Sequence, residues 1–285
     1  MLMGVPRALN LAGISFAAPA APPATDARAR IEWAASLGVR ALQLDATAPD
    51  LRPRELDRSA RRDVASLLRR LEVGFAGLDC SIPPGHFADP AHVDRAVKAT
   101  CEALTLAADL AALVPAPGSL GTVDSRAGRV VAVTLAAAMS PDVRQTLAHH
   151  ALACHCTLVD FRWPLPGLDD SNRSGAAPFS AIGSASASMH HAPGMGMGLD
   201  TGTLLAAGLD PAKFISRLAT RFPGEPTQLR LSDVAASRRV PIGEGELDEL
   251  TVDVACQVAG YRGFAIIDLR GIPAADQVVP RLWSA

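Results

Sequence analysis

The chain lacks a long apolar run. Nowhere in its 285 residues do the ~18 consecutive apolar positions of a membrane span occur. It also lacks an excess of one charge. The 27 Lys and Arg against 29 Asp and Glu leave a formal net charge of −2, which gives no electrostatic argument for DNA or an anionic membrane as a partner. Cysteines are few and odd in number: five in a chain of this length do not form a disulfide framework. Reduced thiols follow, and with them an expected cytoplasmic location. Cys154-His155-Cys156 has the spacing of half a metal site, but no second pair accompanies it. Partly buried residues at a helix-to-strand junction are the simpler reading.

A second Asp-Thr-Gly is missing as well. The stretch LDTGT, Leu199 to Thr203, matches the signature around the catalytic carboxylate of aspartic proteases. Those enzymes are all-β and need two such aspartates sharing one proton. This chain has one, inside a series of βα units, so the protease reading fails.

What is present is ample core material, with 49% hydrophobic and 20% charged residues. The length suits one α/β barrel, which uses about 250 residues, and predicts a single domain over 1–285. The N-terminus reads in two ways. Arg7 followed by ALNLAGISFAAPAAP is similar to a secretory leader, but Asn10, Gly13 and Ser15 interrupt the apolar run. A first strand followed by an Ala/Pro-rich loop accounts for the same letters.

Along the chain, short β-rich runs alternate with amphipathic stretches, which predicts βα units and a parallel sheet. Strands are expected at Ala8–Phe16, Ala41–Asp45, Gly74–Asp79, Val130–Leu135, Thr157–Asp160, Met195–Asp200, Gln228–Leu231 and Phe264–Asp268. Helices are expected at Thr25–Leu37 (capped by Thr25 or Asp26), Ala60–Leu71, Pro90–Leu113 (capped by Asp89), Pro141–Ala153 (capped by Ser140), Pro211–Arg221 and Leu247–Ala259. Eight strands in alternation with helices predict a closed (βα)8 barrel. Two stretches break the regularity. Pro115–Gly128 reads as an extended connection. Asp169–Pro193, rich in Ser, Gly and Ala, stands where much of the fifth helix would be, as an irregular long loop that serves either as a lid or as an insertion.

Six of the eight expected strands end in or just before an aspartate: Asp45, Asp79, Asp160, Asp200, Asp233 and Asp268. Asp is disfavoured inside strands, and barrel active sites lie at the C-terminal strand ends. Carboxylates converging there repel one another unless a cation, an arginine or shared protons compensate. Alternatively, some of them cap a helix or open a turn.

The C-terminal third carries specific motifs. LDTGTLLAAGLDP (Leu199–Pro211), QLRLSD, RVPIGEGELDEL (Arg239–Leu250) and AGYRGFAIIDL (Ala259–Leu269) resemble the sugar phosphate isomerase/epimerase family, a branch of the xylose isomerase-like barrels. The match is best at Pro241–Gly245 and Gly260–Gly263. The resemblance implies a TIM barrel and isomerisation or epimerisation of a small polyhydroxylated compound. It also implies a divalent metal held by two Glu, one Asp and one His. Carried over residue by residue, the metal positions are Asp160, Asp200 and Asp268, with Arg230 where the family has His. Thr203 replaces the His of Asp-Thr-Gly-His. An Asp reaches about one methylene less far than a Glu. An Arg has no lone pair to donate and adds a fixed positive charge, which argues against the metal.

On this reading Asp160 and Asp268 are the candidate acid/base pair for proton transfer next to a carbonyl. Arg230, Arg162, Arg270 and His86 are candidates for binding substrate, and His190 and His191 for folding over the mouth. The expected partner is a sugar- or polyol-like small molecule, with no nucleic acid and no membrane; homo-oligomerisation is left open. The alternative reading is a barrel that has lost catalysis and binds a ligand or a protein.

Overall fold

The computed structural model describes residues 4–17, 26–114, 124, 127–162 and 192–283. Eight parallel strands close into a barrel: β1 (Arg7–Asn10), β2 (Ala41–Asp45), β3 (Gly74–Asp79), β4 (Val130–Val133), β5 (Thr157–Asp160), β6 (Met195–Asp200), β7 (Gln228–Leu231) and β10 (Ala265–Ile267). β10 pairs with both β1 and β7, which shuts the sheet on itself. The stretch after Arg7 that also reads as a leader supplies β1, paired on both edges. Between β7 and the last large helix the chain adds an antiparallel hairpin, β8 (Asp233–Ala235) and β9 (Arg238–Val240), which the sequence pattern did not announce.

Helices α1 (Ala27–Ser36), α2 (Arg58–Arg70), α3 (Val93–Leu113), α4 (Pro141–Ala153), α5 (Thr201–Ala206), α6 (Pro211–Arg221), α7 (Glu249–Val258) and α8 (Val279–Trp283) surround the strands. Their starts are set by side-chain caps. Asp26, Asp57, Ser140, Asp200, Asp210 and Asp248 each accept from a backbone N–H three residues on, a contact that stabilises a helix by about 1 kcal/mol. Asp89 does not cap α3; its Oδ1 accepts from Ala91 N, and the helix begins later, at Val93. β1 is shorter than its apolar run because a turn at Ala12–Gly13 ends it, with Gly13 at φ 68°. Most of Asp169–Pro193 and of Pro115–Gly128 lies outside the described residues. Among the described residues, no helix is long and apolar enough to cross a membrane.

Parity along the strands divides the core in two. Residues such as Leu9, Leu42, Leu78, Val131, Val133, Leu158, Leu199, Leu229 and Ile267 point outward into one large cluster with the helices. Their neighbours point inward. The barrel interior holds Ala8, Ala41, Ala76, Phe264 and Ile266, then Val130, Ala132, Val159 and Phe161. The small residues leave room for the few large ones, as a filled barrel requires. Above them the interior turns polar, with Asn10, Gln43, Gln228 and Arg230 all buried and Gln43 Nε2 donating to Gln228 Oε1 at 3.1 Å.

Candidate ligand-binding site at the barrel mouth

The C-terminal strand ends deliver Asn10, Asp79, Asp200, Arg230 and Asp268 to one place. Arg230 is the centre. Its side chain is 5% exposed, and its Nη2 lies 2.5 Å from Asp79 Oδ2 while Nε lies 3.4 Å from Asp268 Oδ2. The guanidinium carbon stands 3.8 Å from the centroid of the Phe161 ring, a stacked cation–π contact. Gly198 makes that arrangement fit, because a Cβ there would lie 2.6 Å from the ring.

Two further arginines enter from the loops. Arg270 donates from Nε to both oxygens of Asp268 at 3.0 Å, and its Nη1 stands 3.5 Å from Asp79 Oδ1. The left-handed turn at Gly13 lets the Arg270 side chain pass where a Cβ would collide. Arg239, on β9, donates from Nη2 to Asp200 Oδ2 at 2.7 Å and stands 3.7 Å from Asp268 Oδ1. Asp200 Oδ1 also accepts from Ser232 Oγ at 2.6 Å and from Thr203 N at 3.0 Å. Asp79 is completed by Asn10 Nδ2 at 3.0 Å and Ser81 Oγ at 2.9 Å. Three carboxylates are thus matched by three guanidiniums. Burial pushes the Asp268 carboxyl up, but Arg230, Arg270 and Arg239 together outweigh it and hold it below its ordinary value.

Beside this lattice lies a pocket of about 290 Å³, lined among others by Asp79, Cys80, Ser81, Thr134, Arg230 and Arg270. Cys80 supplies no thiolate there, since burial, aided by the nearby Asp79 charge, pushes its thiol up to about 12.

Two strand-end aspartates turn out to be structural. Asp45 Oδ1 accepts from Thr47 N and Oγ1 at 2.8 and 2.6 Å, closing a turn. Asp233 accepts four backbone N–H bonds, from Val234, Gly243, Gly245 and Leu247, at 2.8–3.1 Å, and so fastens the hairpin loop back onto β7.

The expected acid/base pair does not assemble. Asp268 faces the lumen, but Asp160 sits between Val159 and Phe161, the residues that point inward, and so faces the helix layer. Its Oδ1 accepts from Leu135 N and Arg162 N, both at 3.1 Å, and Oδ2 stands 3.6 Å from Arg162 Nη2. Burial pushes the Asp160 carboxyl up. Arg162 shares that outward compartment and does not line the mouth pocket. His86 stacks on His92 with ring centroids 4.5 Å apart, in the short 3-10 turn Pro84–Phe87, and is also absent from the pocket wall. His190 and His191 lie outside the described residues. Asp79, Asn10, Arg239 and Phe161 were not in the expected site set, yet they build it.

A divalent metal does not fit this donor set. Asp160 is on the far side of the barrel wall, Arg230 puts a permanent cation at the centre, and Asp200 and Asp268 are already taken by guanidiniums. Among the described residues, no three His, Cys, Asp or Glu stand together as metal ligands. The structure does not bring together the set Asp160, Asp200 and Asp268 implied by the resemblance.

No family model and no curated protein matches the sequence. Solved structures do. D-Psicose 3-epimerase from Clostridium cellulolyticum H10, solved with D-tagatose, aligns over 97% of this chain and 89% of its own at 12% identity and a TM-score of 0.61. The probable 3-DHS dehydratase AsbF of Bacillus anthracis aligns over 98% and 97%, at 12% identity and a TM-score of 0.64. A sugar phosphate isomerase/epimerase from Parabacteroides distasonis ATCC 8503 aligns over 99% and 97%, at 10% identity and a TM-score of 0.59. What is shared at these identities is architecture: the chain has the fold of the xylose isomerase-like sugar epimerases and isomerases.

Proposed function

We propose that the chain binds a small polyhydroxylated compound at the mouth of its barrel, and does so without a divalent metal ion. The observation that carries this reading is the pairing of Asp79, Asp200 and Asp268 with Arg230, Arg239 and Arg270. Behind the pocket wall, to which Asp79, Arg230 and Arg270 contribute, the charges of the two signs balance and leave oriented donors and acceptors. A hydroxyl group both donates and accepts, so a polyol is the ligand chemistry that such a wall suits. The pocket's volume of about 290 Å³ suits a monosaccharide-sized molecule. Arg270 is partly exposed and offers its outer edge to it, while Arg230 forms the floor.

Binding, not proton transfer, is the better reading of the carboxylates. A general base works best with a pKa near the operating pH. Asp268 is held the other way by its arginines, and Asp160 faces away from the lumen. Supporting the ligand class is the likeness in fold to sugar epimerases such as the L-ribulose 3-epimerase, at 17% identity and a TM-score of 0.57.

The test is a thermal-shift panel of monosaccharides and polyols on chelator-treated protein, followed by proton NMR of the best ligand in D2O. At least one compound is expected to raise the melting temperature saturably, and Arg270→Met to weaken it about tenfold or more. Solvent deuterium should not enter the carbon-bound positions of the ligand. No ligand in the panel, or binding that appears only on adding metal, overturns the proposal; deuterium incorporation at carbon replaces binding with catalysis.

A further inference from the structure

Outside the lumen, five buried polar atoms among the described residues have no hydrogen-bond partner and stand in one cluster: Asp160 Oδ2, Arg162 Nε and Nη2, and Arg144 Nη1 and Nη2. Arg144 is 9% exposed and the Arg162 side chain 6%. Arg144 comes from the first turns of α4, whose N-cap is Ser140, and Arg162 follows β5 directly. Both stand close enough to Asp160 and to each other to interact electrostatically, and Asp160 lies on the opposite side of the strand from Phe161 and the mouth. Asp160 is fixed in place by two backbone N–H bonds.

The balance of this compartment is uneven. Two guanidiniums face one carboxylate, leaving one positive charge in excess. Buried donors left unmade cost about 1–3 kcal/mol each, and more when charged, so four of them are a standing demand for an acceptor. The edges without hydrogen bonds are also the right ones, with Arg162 Nη2 facing Asp160 Oδ2 at 3.6 Å. Nη1 and Nη2 form the end-on fork of a guanidinium, Nε and Nη2 the side-on fork, and each matches two oxygens of a carboxylate or phosphate. Burial and the like charge of Arg162 both press against the Arg144 cation, a strain that an anion would relieve.

We infer that Arg144 and Arg162 form a binding site for a small oxyanion behind β5, separate from the mouth and independent of the ligand proposed there. The oxyanion brings oxygens to both forks and cancels the excess charge. Asp160 sets the position of Arg162 and, by its own charge, favours a singly charged anion.

Inorganic phosphate is the probe. Melting temperature is followed against phosphate at constant ionic strength, with chloride as the exchanged ion, on wild type, Arg144→Met, Arg162→Met and the surface variant Arg58→Gln. Phosphate binding is then measured by calorimetry on each folded variant. A saturable rise is expected for wild type and Arg58→Gln, with affinity about tenfold or more weaker in each of the two buried-arginine variants. If those variants fail to fold, Arg144→Lys is the substitute. It keeps the charge but loses the fork, so phosphate affinity falls while the fold is retained. A wild-type shift that tracks ionic strength alone, or one unchanged by Arg144→Met or Arg144→Lys, overturns the site.

Discussion

Replacing Arg230 by Met tests whether the mouth rests on its charge lattice. Met keeps much of the length and apolar stem but removes the cation from between Asp79 at 2.5 Å and Asp268 at 3.4 Å. Breaking a buried pair by removing one partner costs about 3–5 kcal/mol. Both carboxylates retain other donors here, Asn10, Ser81 and Arg270, so the lower end applies. Loss of the stack on Phe161 adds about 0.5–2 kcal/mol. We expect a total of about 3.5–5 kcal/mol in urea unfolding at pH 7, followed by tryptophan fluorescence, and a fall in melting temperature of roughly 6–8 °C. The second substitution Asp79→Asn should restore about 1 kcal/mol or more, because it removes one orphaned charge. A loss under about 1 kcal/mol, or no recovery in the double variant, refutes a lattice centred on Arg230.

Acid titration gives a second test. Asp268 has a folded pKa below its unfolded value of about 3.9, so the native state binds fewer protons there. Its contribution is fully present above that range and is lost as pH falls through the folded value. Wild type should therefore lose stability more steeply below about pH 4 than Asp268→Asn does. Asp160 has the opposite sign: its raised folded pKa makes ionisation a cost above that value. Relative to Asp160→Asn, wild type should gain stability as pH falls from that raised value toward about 3.9; parallel curves contradict the assignment. At Gly198, an added methyl would meet the Phe161 ring at 2.6–2.7 Å, so Gly198→Ala should cost about 1–3 kcal/mol by overpacking and weaken ligand binding at the mouth. A neutral Gly198→Ala in chemical denaturation shows that the ring can move away.

The barrel was legible because parallel strands buried on both faces read as short continuous apolar runs, and because caps such as Asp26 and Ser140 mark where helices begin. That same property hid the site. In LVDFRW both neighbours of Asp160 are apolar, so nothing in the letters says which face the carboxylate takes. The structure turns Val159 and Phe161 inward, and the expected Asp160–Asp268 pair is lost by one residue of parity. Asp79 was equally hidden. It ends its strand as Asp45 does, but Gly77, with φ 103° beside the register shift between Leu42 and Leu44, helps carry it into the lumen. Arg239 was out of reach of pattern reading because it arrives on a hairpin folded back by Asp233. The recurrence of strand-end aspartates did carry the signal; sorting them needed the caps, turns and guanidiniums around each.

At the mouth, guanidiniums occupy the carboxylates that a metal ion would need. Elemental analysis of protein purified without a histidine tag, followed by calorimetric titration with Mn2+, Co2+ and Mg2+, tests it directly. No stoichiometric metal and no saturable heat are expected. One equivalent of bound metal, lost on Asp200→Asn or Asp268→Asn, would contradict it.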